Sequence, residues 1–131
     1  MSEPPEPQLN AEERALFDRG VAEFNAGLYF ECHESLEDLW TGVRGPTRDF
    51  FQGLIQVSVA FHHLTRGNLG GARSTLTRAL KRLEPYPDRY YGFELATHRR
   101  LLGRWLAAIE RKDEQVLAET PPTWHFAAPW P

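Results

Sequence analysis

The chain has 131 residues, a size that fits one domain, and its 41 % hydrophobic and 25 % charged content describes a chain that folds. A net charge of -3 with both signs interleaved argues against a nucleic-acid partner, which selects for a basic patch. No apolar run is long enough to span a bilayer, so no membrane partner is expected. Residues 1–9, acidic and Pro-rich, do not resemble a signal peptide and are expected to form a disordered lead-in; the expected location is cytoplasmic. The lone Cys32 has no disulfide partner within the chain and reads as a small core residue.

From Asn10 the pattern becomes helical. Asn10 stands three residues before Glu13, as in a capping box. Leu16, Phe17, Val21 and Phe24 then mark one face of a helix over about 11–25, closed by Gly27. A second helix is predicted over about 29–41 and stopped by Gly42. Gly45-Pro46 makes the next turn, with Pro46 in the first turn of a third helix running to about 65. That helix is apolar on nearly all sides and is expected to be the most buried. Gly67 ends it, and Asn68 can cap a fourth helix over about 69–83, which Pro85 and Pro87 terminate. Tyr86, Tyr90 and Tyr91 fall in the connection to a fifth helix, from near Phe93 to about Arg111, with a short helical turn at 113–119. No strand pattern stands out. Residues 121–131 are Pro-rich and hold Trp124, Phe126 and Trp130, so the tail is expected to pack on its own bundle or to build a homo-oligomer. The predicted fold is all-α: one helical domain over 10–120, a compact bundle of about five helices built on antiparallel hairpins. A weak repeat relates Gly27, Cys32, Leu36 and Leu39 to Gly67, Ala72, Leu76 and Ala79, in keeping with two helical hairpins.

The second helix mixes chemistry with apolar surface. At about 100° per residue, His33, Glu37, Trp40 and Arg44 share a face, with Phe30 and Glu34 beside it. The third helix carries Arg48, Gln52, Gln56 and His63 at spacings of four, four and seven, again one face. Folding the two helices about the Gly42–Pro46 turn sets Trp40 opposite Arg48, Glu37 opposite Gln52 or Phe51, His33 opposite Gln56 or Ile55, and Phe30 opposite Val59. This register predicts a hydrogen-bonded cluster of His33, Glu37, Gln52 and Gln56, with His63 nearer Tyr29 or the first helix.

His33-Glu34-Ser35-Leu36-Glu37 also invites comparison with the zinc motif H-E-x-x-H, with Glu37 in place of the second His. His62, His63 or His98 would have to complete such a site, and the register separates His33 from His63, so no metal and no cofactor is expected. Gly67–Gly71 reads as a helix-to-helix turn, and Arg99, Arg100 and Arg104 as a solvated face.

Two stretches carry a resemblance. Phe24-Asn25-x-Gly27-x-Tyr29-Phe30-Glu31-x-His33-Glu34-x-Leu36-Glu37-x-x-Trp40 is the first. The second runs Gly45-Pro46-x-Arg48-x-Phe50-Phe51-Gln52-Gly53-Leu54-Ile55-Gln56, then Ala60-Phe61-His62-His63 and Arg66-Gly67-Asn68-x-x-Gly71-Ala72. Over about residues 16–83 the chain resembles the bacterial and archaeal family called domain of unknown function 309. The resemblance implies a small all-helical fold, names no reaction, and makes Glu31, His33, Glu34, Glu37, Arg48, Gln52, Gln56 and His63 the polar set. Two function classes follow. One is a binding module with a polar His/Glu/Gln pocket between helices two and three, taking a small molecule or peptide. The other is a metal-dependent or general acid/base hydrolase using His33, Glu34 and Glu37.

Overall fold

The computed structural model describes residues 4–127. Within them the chain forms α1 (Ala11–Asn25), α2 (Tyr29–Gly42), α3 (Arg48–Thr65) and α4 (Leu69–Leu83). A short ladder of β1 (Arg89–Tyr90) and β2 (Phe93–Glu94) follows, then α5 (Leu95–Arg111) and the single turn α6 (Glu114–Leu117). The fold is mostly helical, as the periodicity predicts, with six helices among the described residues. The polar side chains that end the helices act as the sequence indicates. Asn10 Oδ1 accepts from the Glu13 amide at 2.8 Å while Glu13 Oε1 accepts from the Asn10 amide at 3.0 Å. Asn68 Oδ1 accepts from the Gly71 amide at 2.9 Å. Pro46 lies two residues before α3, in the turn that precedes the helix rather than in its first turn.

The helices pack in sequence order, α1 on α2, α2 on α3, α3 on α4 and α4 on α5. Short connections make α1–α2, α2–α3 and α3–α4 antiparallel hairpins, whereas residues 84–94, with β1 and β2, separate α4 from α5. Nine residues of α3 are buried, including Phe50, Phe51, Leu54, Val57, Ala60 and Phe61, more than on any other helix described. Its neighbours approach closely at one glycine: a Cβ on Gly53 would stand 2.6 Å from Leu83 Cδ2 of α4. Leu83 is itself fully buried and has nowhere to go. Gly53→Ala is therefore expected to cost about 1–3 kcal/mol by overpacking, read as a lower urea midpoint with an unchanged slope.

The ladder is the part that alternation did not reveal. Two residues per strand are too few for a period-two signal. Its cause is the turn: Tyr91 and Gly92 both have positive φ, 53° and 72°, the geometry of a two-residue hairpin whose twist matches its strands. Arg89 and Glu94 pair across it at 3.1 Å.

Both ends of the described chain lie on this hairpin. The lead-in, expected to be disordered, is held from residue 5: the Tyr90 hydroxyl donates to the Pro5 carbonyl, and the Tyr91 amide donates to Glu6 Oε2 at 2.8 Å. Pro7 is buried and Leu9 packs on the core. The tail crosses the other side. Phe126 bridges to Phe93, and the Ala127 amide donates to the Gly92 carbonyl at 2.8 Å. Trp124 is fully buried in its own bundle; Trp130 lies outside the described residues.

Candidate functional site

The α2 face is the place to begin. Gly27, at φ 78°, turns the chain out of α1, and α2 starts with Tyr29 inward and Phe30 outward. Cys32, Ser35, Leu36 and Leu39 face the core, which leaves Glu31, Glu34, Glu37 and Asp38 in solvent. Four carboxylates and no Lys or Arg make α2 strongly acidic. Among the described residues, Glu31, Glu34 and Asp38 enter no ion pair. Phe30 is 46 % exposed, and Leu28, two residues before it, is 49 % exposed. Two imidazoles bracket Phe30: the His33 ring at 5.4 Å on α2 and the His62 ring at 5.5 Å on α3. His33 is fixed in turn by Nδ1 at 3.2 Å from the Phe30 carbonyl and Nε2 at 3.4 Å from Glu37 Oε1. The Phe30 carbonyl and the Glu37 carboxylate are both acceptors.

The predicted polar set is only partly brought together. His33 and Glu37 pair, one helical turn apart. Arg48 reaches Trp40 as the register predicts: its guanidinium carbon sits 3.6 Å from the indole centroid, and Nε donates to the Val43 carbonyl at 3.2 Å. Gln56 turns the other way. Its Oε1 accepts from Arg82 Nε of α4 at 3.3 Å, and Arg82 also bonds Asp49 at 2.7 Å. Gln52 is half-buried on α3. His63 also faces α4, not Tyr29 or α1; its Nδ1 lies 3.3 Å from the Asn68 amide nitrogen. The predicted cluster of four is thus split between the two sides of α3. The clefts at Tyr29–Pro121, Arg73–Lys112, Phe17–Phe126 and Arg78–Pro85 are lined by other residues. The first of these, about 230 Å³, is walled by Tyr29, Phe61, Leu64, Leu69, Trp105 and Leu117 and is chiefly apolar. No group of three or more His, Cys, Asp or Glu is placed to share a metal among the described residues.

Two groups with reactive chemistry are kept in the core. Burial pushes the Cys32 thiol up to about 12, with the Glu23 carboxylate adding to the effect against the pull of the Ser58 hydroxyl and the Phe24 backbone. Burial lowers His98 to about 3, so its ring is neutral, and Nε2 accepts from Trp124 Nε1 at 3.0 Å. No local pattern announces this pair, because its two members are joined only through the packed tail. Arg99, expected on a solvated face, donates to the Leu83 and Tyr86 carbonyls at 3.0 and 3.1 Å and ties down the connection after α4. Arg104 likewise makes a forked pair with Glu119, both bonds 2.7 Å.

The comparisons agree with this picture of a helical domain without an assigned reaction. An uncharacterized protein of Bacillus subtilis (strain 168), YpuF, is 36 % identical over 66 residues, which cover 49 % of this chain and 38 % of that protein. An uncharacterized protein of Aquifex aeolicus (strain VF5) is 26 % identical over 99 residues, 75 % of this chain and 30 % of that protein. The chain thus spans about a third of the length of these curated relatives. Residues 17–75, from the second turn of α1 into α4, match the family model described as domain of unknown function (DUF309).

Proposed function

We propose that this chain is a binding module, and that the exposed face of α2 is its docking surface for a basic polypeptide segment. The observation that carries the reading is Phe30: a phenyl ring standing 46 % exposed at the N-terminal end of an acidic helix face. Fully burying a phenyl ring is worth about 1.5–3 kcal/mol, and covering the 46 % of Phe30 still exposed about half of that, whereas each exposed ion pair contributes about 0–1 kcal/mol. Phe30 would therefore anchor a partner, and Glu31, Glu34 and Asp38 would select for positive charge and set its orientation. His33 and His62 hold the ring upright. The hydrolase alternative draws less support, because His33 and Glu37 pair on this open face, with Glu37 half exposed. An acid/base pair in a hydrolase works best in a water-poor cleft.

A lysine-rich amphipathic peptide is the probe. Titrated into the full chain and followed by amide chemical shifts, it should saturate and move the signals of Phe30, Glu31 and Glu34 first. Phe30→Ala should weaken it by up to about tenfold, the loss of about 1.4 kcal/mol. A glutamate-rich peptide of equal length should not bind. Shifts confined to other elements, or affinity indifferent to Phe30→Ala, would remove the reading.

A further inference from the structure

The charge that α2 lacks is present on α4. This helix carries Arg73, Arg78, Lys81 and Arg82 and no carboxylate. Among the described residues, Arg73, Arg78 and Lys81 enter no ion pair. Three of these cations surround a hollow. Arg78, Lys81, Arg82, Pro85 and Asp49 line a concavity of about 440 Å³ at the C-terminal end of α4. Two of its walls are set in position: Arg82 is held by Asp49 at 2.7 Å and by Gln56 at 3.3 Å, and Arg78 donates to the Ser74 hydroxyl at 2.9 Å. Phe30 is an exposed aromatic ring between His33 and His62 on a helix that carries Glu31 and Glu34; the α4 hollow is lined by three cations together with Asp49 and Pro85. Aromatic faces take guanidinium and ammonium groups well, and the charges of the two helices are opposite in sign.

We propose that the basic partner of the α2 face is the α4 hollow of a second copy of this chain. The proposal rests on the α2 reading above. The two surfaces of one molecule do not meet. Phe30 lies beside His62 near the end of α3, whereas the hollow lies beside Asp49 at its start. Those positions are thirteen residues apart, about 20 Å along the helix. Each copy therefore offers one knob and one free socket. The contact is heterologous, and it builds rings or open chains rather than a two-fold dimer. Because exposed charges align the partners, association weakens as salt screens them.

Sedimentation velocity of the full chain provides the test. At low ionic strength the average mass should climb with protein concentration, and about 0.5 M salt should return it to the monomer. Glu31→Gln/Glu34→Gln removes the charge of the knob's rim and leaves the socket; Arg78→Gln/Lys81→Gln does the converse. All four positions are exposed, and a helical far-ultraviolet spectrum verifies each fold. Each double variant alone should stay monomeric. An equimolar mixture retains one working knob and one working socket, so it should form a one-to-one pair and nothing larger. A wild-type chain that stays monomeric at low salt overturns the proposal, as does a mixture that fails to pair or a variant that associates like wild type. If the lysine-rich peptide still binds α2 in that case, the docking surface stands and only its occupant was wrong. If the peptide fails as well, both ideas fall.

Discussion

Trp124→Ala is expected to cost about 3–5 kcal/mol, a fall in melting temperature of about 10–20 °C for a chain of this size. The indole is fully buried and lies flat on Phe24, ring centroids 3.8 Å apart and planes 2° from parallel. Its backbone is clasped as well: the Asn25 side chain donates to the Trp124 carbonyl and accepts from the Trp124 amide, both at 2.7 Å. Removing the ring empties a large core site and leaves His98 Nε2 without its donor. Trp124→Phe should fall between the two, since it fills most of the volume but still strands the imidazole. Calorimetry on the three proteins checks the order. An alanine variant that melts within about 2 °C of wild type would mean that the tail is not part of the core.

The second large effect is on acid stability. In the unfolded chain an imidazole takes up its proton near pH 6.5, whereas burial holds native His98 down to about 3. Between those values the unfolded state binds the extra proton and the native state does not. Stability therefore rises with pH across that window, and on acidification it is lost from about pH 6.5 downward. The steepest slope from one such group is about 1.4 kcal/mol per pH unit. His98→Gln should flatten it while still offering Trp124 an acceptor. Carboxylates titrate over part of the same range in both proteins, so the readout is the difference between their urea-unfolding free energies at pH 7 and pH 5. A difference that does not change with pH would show that His98 is protonated in the native state.

The helices were legible because their information is local. Asn10 and Glu13 satisfy each other within one turn, and Asn68 caps Gly71 within one turn. The hairpin register was legible where it runs through the turn itself, so that Arg48 meets Trp40. It lost force with distance from the turn. Periodicity places Gln56 on a face of α3, but α3 has a neighbour on each side, and a long amide can reach either. Arg82 on α4 offers a charged donor that α2 does not, and Gln56 goes there. His63 follows the same logic, since the Gly67–Asn68 turn brings Asn68 back over it. The tail's docking could be expected from its aromatic content, but its site could not: Asn25 and Trp124 are 99 residues apart. The family resemblance read from residues 16–83 coincides closely with the matched segment, 17–75.

The β1–β2 hairpin is where the two ends of the described chain come together. Pro5 and Glu6 rest on Tyr90 and Tyr91, and Ala127 rests on Gly92, one residue further on. A domain whose first and last segments touch the same turn can be spliced into a surface loop of a larger protein without stretching its host. It can equally be re-opened elsewhere: joining residues 5 and 127 by a few glycines and cutting at the exposed Gly67 turn would change the order of the helices but none of their neighbours. This geometry turns a small helical bundle into a portable part, one that other chains could carry internally as easily as at an end.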